Sequence, residues 1–448
     1  MAYDPLTADL PTQPRPYPAT YWCATAGTPP TDDGPLLHAQ DTDIAIIGAG
    51  YTGLSCAYHL AKHYRSTVHV LEAHQPGWGC SGRNGSFMRP AIGRLSWTDS
   101  VQRFGPELAK AHFTEAHRAL ATMRELILQG NIDCDIQPDG WLKTAHQPSR
   151  VSSLLTEQQV MRDHFNYDTQ LLHQSELEEY GLGGAEASAA LRFPDAFSAH
   201  PLKIIFSLVK QARQAGAVVH SKSPVISWHK EGATHYLRTP TGTLRAKHVV
   251  IATNGYSTEQ LHPCLKSRLM PVLSSIIVTR PLSEDEIHHS GFRTTNIITD
   301  TRKVLNFYRR LPDNRILLGS RGAITESHQS QQKIQDHLLA TLQKKFNGLE
   351  NLTVDYGWSG WVALSMDSMP RVHTVNTDRS ISYAIGYNGS GTTASVYAGK
   401  VLAHHLKSNA AISPLLNSPL PAFPFAPFRR LGQRAMFAYY RHLDNKTG

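Results

Sequence analysis

The chain has 448 residues, of which 41% are hydrophobic, and this length and composition predict two or three globular domains. No run of eighteen apolar residues occurs, and residues 1–22 contain neither a basic cluster nor an apolar stretch. We therefore expect no membrane span and no signal peptide, and we place the protein in the cytoplasm. The formal charge of +8 comes from dispersed Lys and Arg residues, so we expect no nucleic-acid partner.

The cysteines and histidines predict neither a disulfide framework nor a metal site. The five cysteines are scattered and include no C-x-x-C pair, which indicates reduced thiols. His59 and His63 are four residues apart, but the glutamate of an H-E-x-x-H motif is missing. We interpret both histidines as part of a packed helix and predict no metal.

The first part of the chain predicts an arm followed by a βαβ unit. Residues 1–40 are rich in Pro, Thr and Asp and predict an N-terminal arm. A strand at "DIAII", a helix at "YTGLSCAYHLAKHY" and a strand at "TVHVLEA" follow. The next segments predict a helical stretch from about Trp97 to Gln129, a strand at "DGWLKTA", two polar helices, the helix "PLKIIFSLVKQARQAG", and a strand pair closed by a Thr-Gly turn.

The pattern changes between Leu261 and about Asn351, where longer alternating strands surround one polar helix. This predicts an antiparallel sheet inserted into the fold that begins with the βαβ unit. The strand Ile381–Ile385, the turn "GYNGSG" and the helix after it return to that first fold. The basic, aromatic tail "PFAPFRRLGQRAMFAYYRHLD" is expected to pack on the protein rather than to contact a membrane.

The turn after the first strand carries a dinucleotide-binding pattern, GAGYTG at residues 48–53. Gly48 permits a tight turn, Gly50 lets a diphosphate approach the backbone, and Gly53 allows the helix to pack close to the strand. The free N–H groups and the positive dipole at the helix N-terminus favour a phosphate there. Glu72, nineteen residues past Gly53, is placed to accept hydrogen bonds from ribose hydroxyls, which disfavours NADP.

NAD and FAD share this pattern, and the residues after Glu72 favour FAD. The segment "AHQPGWGCSGRNGS" is a second glycine-rich stretch that could wrap the flavin end of a longer cofactor. With it, "IIGAGYTGLSCAYHLA", "VVIATNGY", "WSGWVALSMDSMPRV" and "GYNGSGTTASVYAGK" follow the order found in the FAD-dependent D-amino acid oxidase/glycine oxidase superfamily, which the chain resembles. The segments "YPATYW", "NIDCDIQPDGWL" and "AHPLK", with the aromatic tail, are most similar to its gamma-glutamylputrescine oxidase branch.

The resemblance implies an α/β fold with two domains. One is a discontinuous Rossmann-like FAD-binding domain of the glutathione-reductase type, and the other is a substrate domain with a mixed or antiparallel sheet. We expect the FAD-binding domain at residues 41–95, 185–260 and 353–410, the substrate-binding domain at 96–184 and 261–352, and a C-terminal tail at 411–448 that packs on the FAD domain.

The resemblance also implies which residues hold FAD, which we expect to be bound non-covalently. Cys80 stands where relatives often have alanine, and we interpret it as a packing residue rather than as a covalent flavin link. The predicted cofactor-binding residues are Gly48, Ala49, Gly50, Thr52, Gly53, Glu72, Ala73, Ser81, Gly82, Arg83, Asn84, Gly85, Val225, Thr253, Asn254, Gly389, Ser390, Gly391 and Thr392.

The turn "GYNGSGTT" would direct helix N–H groups at the edge of the flavin that becomes negative on reduction. In an amine oxidase of this type, hydride passes from the carbon next to a neutral amine to flavin N5, and water hydrolyses the imine. The protein then mainly positions and desolvates a small-molecule amine. We assign no general base, and we interpret His200 as the cap of a helix. Asp367 and Pro370 are interpreted as turn residues.

The substrate-pocket candidates are mostly aromatic, which suits an alkylammonium or an alkyl chain, although Trp358 and Trp361 fit a structural core equally well. Relatives that oxidise N-methyl amino acids hold the carboxylate with a lysine where this chain has Thr393. They carry a second lysine, which assists the reaction with oxygen, where this chain has Leu317. The candidates are Arg83, Met88, Tyr308, Trp358, Trp361, Tyr387 and Thr393.

The sequence therefore predicts an FAD-dependent amine oxidase that uses O2 and releases H2O2, acting on a gamma-glutamylated or other polyamine-type amine. Two alternatives stay open. The first is oxidation of a cyclic or N-substituted amino acid such as pipecolate or sarcosine, whose carboxylate Arg83 or Arg89 would hold. The second is a flavin dehydrogenase that passes electrons to a membrane carrier. A flavoprotein without catalytic activity is a further reading.

Overall fold

A computed structural model describes residues 3–445, and the ends of the predicted arm and tail, residues 1–2 and 446–448, lie outside this range. The strands are β1 Ala39–Ile47, β2 Val68–Leu71, β3 Phe87–Met88, β4 Trp141–Thr144, β5 Gln170–His173, β6 Ala189–Phe193, β7 Phe197–Ser198, β8 Val218–His220, β9 Ser227–Glu231, β10 Thr234–Arg238, β11 Thr243–Ile251, β12 Met270–Thr279, β13 Ile297–Asp300, β14 Phe307–Arg310, β15 Ile316–Arg321, β16 Val354–Leu364, β17 Arg371–Thr374 and β18 Ile381–Ile385.

The α-helices are distributed along the whole chain, from the arm to the tail. They are α1 Tyr21–Thr25, α2 Tyr51–Tyr64, α3 Trp97–Phe104, α4 Pro106–Gln129, α5 Val151–Phe165, α6 Gln174–Glu179, α7 Pro201–Gln214, α8 Glu284–Ser290, α9 His328–Lys345, α10 Thr392–Ser408 and α11 Arg429–Asn445. No helix within residues 3–445 has both the length and the apolar character needed to cross a bilayer.

The first sheet has the strand order β17-β18-β11-β1-β2-β8. Its inner strands pair in parallel, with β1 between β11 and β2. The β9–β10 hairpin adds antiparallel to β11, and β17 adds antiparallel to β18. Helix α2 packs against both α7 and α10, and the apolar faces of the three helices share one core cluster with β1, β2 and β11. A βαβ unit requires such helix cover, because a parallel sheet buries both faces.

The second sheet has the order β16-β12-β15-β14-β13-β4-β6-β5. All of its pairs are antiparallel except β13 with β4, so the sheet is mixed. Helix α9 packs against β12, β15 and β16. The two sheets confirm the predicted fold class, a Rossmann-like α/β unit joined to a unit with a mixed sheet.

Three predicted boundaries need correction, because strand pairing and helix packing are set by contacts far along the chain. Strand β6, inside the predicted 185–260 segment, pairs with β4 in the second sheet, and β16, inside the 353–410 segment, pairs with β12 there. Helix α4, inside the 96–184 segment, packs on α10 of the first unit. With these changes, the division into an FAD domain and a substrate domain stays a prediction.

The C-terminal tail, predicted to pack on the FAD domain, divides between the two units. Leu416 and Leu420 pack into the cores on the two faces of the first sheet. In α11, by contrast, Phe437 packs on Met270 and Val272 of β12 in the second sheet. The amphipathic helix α11 packs on the apolar face of β12. The sequence of the tail alone does not identify this packing partner.

Candidate functional site

The glycine turn between β1 and α2 has the geometry that its pattern predicts. Gly48 has φ +106°, a conformation that residues with a Cβ rarely adopt. A Cβ on Gly53 would lie 1.9 Å from the carbonyl oxygen of Gly48, so only glycine lets α2 start this close to the strand. Gly50 caps α2 without a side chain, and the Tyr51 N–H donates to Ser81 Oγ at 3.0 Å.

Glu72 lies at the end of β2 and is held by backbone donors. Its carboxylate accepts hydrogen bonds from the N–H of Ala49 at 2.8 Å and of His74 at 2.9 Å. Burial raises the pKa of Glu72, and the backbone hydrogen bonds oppose this rise. A half-buried carboxylate on a cavity wall, with remaining acceptor capacity, suits hydroxyl donors such as those of a ribose.

The second glycine turn, between β18 and α10, lies against the first. The Tyr387 hydroxyl is 2.7 Å from the Thr52 hydroxyl of α2, and the Gly386 N–H donates to the Asn254 side chain at 2.9 Å. Gly391 caps α10 without a side chain. The N-termini of α2 and α10 are therefore brought together from positions far apart in the sequence.

Both turns border one cavity of about 610 Å³, which we call the first cavity. This volume lies within the range of about 300–1,000 Å³ found for small-molecule and cofactor sites. The predicted cofactor residues on its wall are Gly48, Gly50, Thr52, Glu72, Ala73, Ser81, Asn84, Val225, Thr253, Asn254, Gly389, Gly391 and Thr392. Two helix starts with glycine at the N-cap, a backbone cradle and a carboxylate acceptor for hydroxyls together fit a dinucleotide such as FAD.

The N-terminal arm closes one side of the first cavity, through Tyr3 and residues 8–15. The Tyr3 ring stacks on Tyr256 with centroids 6.4 Å apart, and the Arg15 N–H donates to His74 Nδ1 at 3.0 Å. The sequence predicted an arm but gave no sign of this position, because a Pro-rich segment has no hydrophobic periodicity from which its contacts can be inferred.

A smaller cavity of about 120 Å³, the second cavity, adjoins the first. The two share wall residues at Cys80, Asn84, Val362, Gly389 and Thr392. The apolar residues on its wall include Phe87, Ile276, Leu305 and Phe307. Arg83, Arg89 and Arg321 provide cationic groups.

The comparison with protein families decides the identity of the fold. The family model described as DAO, FAD dependent oxidoreductase, matches residues 43–405. The chain belongs to this family. It is thus an FAD-dependent oxidoreductase that acts on a small molecule at a CH–NH or CH–NH2 group, as predicted.

The DAO-family relatives include enzymes with several named activities. The chain is 29% identical to gamma-glutamylputrescine oxidoreductase of Escherichia coli over 433 residues, which cover 96% of this chain and 99% of that protein. It is 21% identical to glycine oxidase of Bacillus subtilis, covering 81% and 92%. The fold is similar to that of iminodiacetate oxidase from Chelativorans, with TM-score 0.69 and 18% identity, covering 84% of this chain and 100% of that one.

Several predicted DAO-family site residues line the cavities, and others do not. Arg83, Gly85, Ser390 and Thr393 lie on the second cavity, and Tyr387 lies on the first. Ala49, Gly53 and Gly82 line neither. Gly53 and Gly82 allow close packing, since a Cβ on Gly82 would lie 2.3 Å from the Gly77 carbonyl oxygen. Whether the lining residues contact FAD stays a prediction.

Four of the predicted substrate-pocket residues are away from both cavities. Tyr308 packs against Phe292 and Phe346 on the opposite face of β14. Met88 and Trp358 are buried in the core, and Trp361 is fully buried under Arg430. Their neighbours Phe307, Gly360 and Val362 line the second cavity instead. Side chains alternate along a strand, so an error of one position moves a residue to the other face.

Arg83 is on the wall of the second cavity, but its guanidinium is occupied by hydrogen bonds to backbone carbonyl oxygens. Nε and Nη2 donate to the carbonyl oxygen of Trp78, and Nη1 donates to that of Ser359 at 3.1 Å. The Thr393 hydroxyl donates to the Arg89 carbonyl oxygen at 2.8 Å. Neither Arg83 nor Thr393 is therefore positioned as a free anchor for a carboxylate.

Four further residues for which the sequence predicted a role lie at a helix cap, in a buried contact, at a turn and in the core. His200 Nδ1 accepts from the Lys203 N–H at 3.2 Å, so His200 caps α7 as predicted. The Cys80 thiol donates to the Trp361 carbonyl oxygen, and burial raises its pKa to about 12. Asp367 binds Arg371 and Arg103 near its turn. Leu317 is in the core and off the cavity wall, which corrects its predicted position.

Phe307 and Arg321 are two of the cavity residues that were not predicted from the sequence. Arg321 is on the same strand as Leu317 and four residues further along, so the alternation of β15 places both on one face. That alternation, read from "RILLGSR", could have identified Arg321.

Proposed function

We propose that the protein is an amine oxidase that acts on a primary or secondary amine of the gamma-glutamylated or polyamine type, with O2 as electron acceptor. The observation that carries this proposal is the small apolar and arginine-lined cavity beside the large dinucleotide-type cavity, with shared wall residues at Cys80 and Gly389. The gamma-glutamylputrescine oxidoreductase relative, which aligns along 96% of the chain, supports the substrate class.

FAD, when bound, would accept two electrons as hydride from the C–H bond next to the amine nitrogen, so that the C–N bond becomes an imine. The residues of the chain would contribute position and environment. Gly48, Gly50 and Gly391 would present backbone to the cofactor, and Glu72 would accept from its ribose. Phe307, Leu305 and Ile276 would exclude water from the amine, which must be neutral to be oxidised. O2 would take up two electrons and two protons from the reduced cofactor to give H2O2, and water would hydrolyse the imine to an aldehyde and an amine or ammonia.

The contacts of Thr393 and Cys80 support the finer points of this proposal. Thr393 carries no charge and donates to a backbone carbonyl, so an α-carboxylate lacks the lysine that holds it in N-methyl amino acid oxidases. The Cys80 thiol is engaged with Trp361, which favours non-covalent FAD. The five cysteines are free thiols, which fits a cytoplasmic location.

Two other functions each have one supporting observation. Arg89 contributes a guanidinium to the wall of the second cavity, where it could hold the carboxylate of pipecolate or sarcosine. Phe425, Phe428 and Leu431 are exposed at the start of the tail helix, where a dehydrogenase could contact a membrane carrier.

Anaerobic mixing of the purified, FAD-loaded protein with a panel of amines tests these functions together. We expect a gamma-glutamylated diamine to bleach the flavin absorbance, and air to restore it with release of peroxide. Bleaching by sarcosine or pipecolate alone would favour the amino acid alternative. Bleaching without peroxide in air would favour the dehydrogenase. A colourless protein that takes up no FAD would overturn all three.

A further inference from the structure

Arg321 ends β15, and its side chain reaches the glycine turn of the candidate site. The residue pairs with Ser274 of β12, and both line the second cavity. Its Nη2 donates to the Asn388 carbonyl oxygen at 3.0 Å. A Cβ on Gly389 would lie 2.0 Å from the same nitrogen, so the glycine at this turn leaves room for the guanidinium.

The other terminal nitrogen of Arg321 has no partner. Nη1 is inaccessible to solvent and makes no hydrogen bond, while the residue as a whole is half-buried because it lines the cavity. Within residues 3–445, Arg321 forms no ion pair. Burial, with a smaller contribution from Arg94, holds the pKa of Arg321 well below its usual range. A buried cation without a counter-charge is unfavourable, and an anion beside it would remove that cost.

The rest of the second cavity is also arranged for an anion. Its wall contains three arginines and, among the residues that the structure describes, no aspartate or glutamate. Arg83 is committed to backbone carbonyls, and Arg89 lies over an aromatic ring. Among the three arginines of this wall, Arg321 is the one with a buried nitrogen that makes no hydrogen bond. A dicationic amine would meet repulsion from all three.

We propose that Arg321 binds a carboxylate of the substrate, so that the enzyme selects amines that carry a carboxylate over alkylamines and diamines. This inference rests on the proposed amine oxidase function. In a substrate of that type, several atoms separate the carboxylate from the carbon that is oxidised, so the carboxylate is not an α-carboxylate of the reacting amine. Guanidinium and carboxylate pair through charge-assisted hydrogen bonds, which are stronger than neutral ones.

A binding experiment with ligands that are not oxidised tests the anchor. Pentanoate and its neutral analogue pentanamide are titrated into the FAD-loaded protein while the flavin absorbance is followed. We expect Arg321→Gln to weaken pentanoate binding about 10- to 100-fold and to leave pentanamide unchanged, since a hydrogen bond to a charged group is lost. Arg321→Lys should retain part of the affinity. Arg94→Gln, which removes a nearby charge but no wall donor, should change pentanoate binding by less than about threefold.

Turnover of three amines then tests selectivity. We expect Arg321→Gln to lower kcat/KM for 5-aminopentanoate and to leave that for pentylamine unchanged, and to raise that for 1,5-diaminopentane. Sarcosine, with its α-carboxylate, should be affected less than 5-aminopentanoate. A larger effect on sarcosine would overturn the separated position of the carboxylate.

Equal loss for pentanoate and pentanamide, or a shifted flavin spectrum before any ligand is added, would overturn the proposal and assign Arg321 to the cofactor. Unchanged binding of both ligands would overturn it as well. Flavin content and melting temperature of each variant identify misfolding, and Arg321→Lys supplies the readout if Arg321→Gln does not fold. If no amine bleaches the flavin yet pentanoate still discriminates the variants, the amine oxidase function fails and the anion site stands.

Discussion

The two cavities are made of different parts of the polypeptide. The wall of the first is formed by backbone at glycine turns, such as Gly48 and Gly391, whereas Phe307, Arg89 and Arg321 contribute side chains to the wall of the second. Glycine is needed where φ is +106° or where a Cβ would lie 1.9 Å from a carbonyl, so a backbone-built site leaves a fixed sequence pattern. A site built from strand side chains leaves no such pattern.

The largest effect is expected at the first cavity, from Gly53→Ala. The added methyl would meet the Gly48 carbonyl oxygen at 1.9 Å and Ile46 at 3.2 Å, so α2 must move away from β1. We expect destabilisation by about 3 kcal/mol or more and loss of bound FAD, measured by urea denaturation and by flavin absorbance.

Gly432→Ala in α11 is the matched control, because a Cβ there meets nothing within 4 Å. It should stabilise the protein by about 0.5–1 kcal/mol through better helix propensity and should leave FAD content unchanged. Normal FAD content in Gly53→Ala would contradict the view that backbone proximity defines the first cavity.

The pair Phe307→Ala and Tyr308→Ala tests the second cavity. Tyr308 packs between Phe292 and Phe346 in the core, so its truncation should cost about 3 kcal/mol of stability and leave KM unchanged. Phe307 faces the cavity, so its truncation should change KM and the preference among amines at a smaller cost in stability. Denaturation midpoints and steady-state kinetics of both variants make the comparison. If Tyr308→Ala changed KM and Phe307→Ala mainly lowered stability, Tyr308 rather than Phe307 would face the cavity from β14.

Much of the fold was predictable because its signals are local. The helix pattern at "YTGLSCAYHLAKHY" corresponds to α2, Tyr51–Tyr64, and the Thr-Gly turn joins β10 to β11. The sheet membership of β6 and β16 was not predictable, since pairing with β4 and β12 is decided by residues distant in the chain. The arm over the first cavity was missed for the same reason.

The part of the candidate site that backbone at glycine turns forms was predictable from the sequence. The part that strand side chains form was not. The position assigned to Tyr308 failed because the sequence does not show which face of a strand in the second sheet points to the cavity until the strand's pairing is known. Leu317 is on the same face of β15 as Arg321, but it lies four residues earlier on the strand and packs in the core. Trp358 and Trp361 have large apolar rings, and these satisfy a core as well as a pocket. Arg321 is an arginine at the end of a strand, and only the structure shows that its Nη1 is buried without a partner.

Glu72→Gln gives the smallest expected effect and tests an acidic side chain on the wall of the first cavity. Replacement of the carboxylate weakens an acceptor for ribose hydroxyls, so we expect FAD to bind about tenfold more weakly, measured by titration of the FAD-free protein. Burial raises the pKa of Glu72 in the folded protein above its ordinary value. The ionised group therefore costs stability, and the cost grows as pH rises through that raised pKa.

The free energy of unfolding of wild-type FAD-free protein, relative to Glu72→Gln, should consequently fall as pH rises above the ordinary glutamate pKa of 4.5 and should level off above the raised pKa of the folded protein. Glu286→Gln is the matched control with the opposite sign. Its hydrogen bonds with Arg280 lower the pKa of Glu286 to about 2 from 4.5, so the wild-type advantage is present above pH 4.5 and is lost as pH falls toward 2. Parallel slopes for the two variants would contradict a raised pKa of Glu72 in the folded protein.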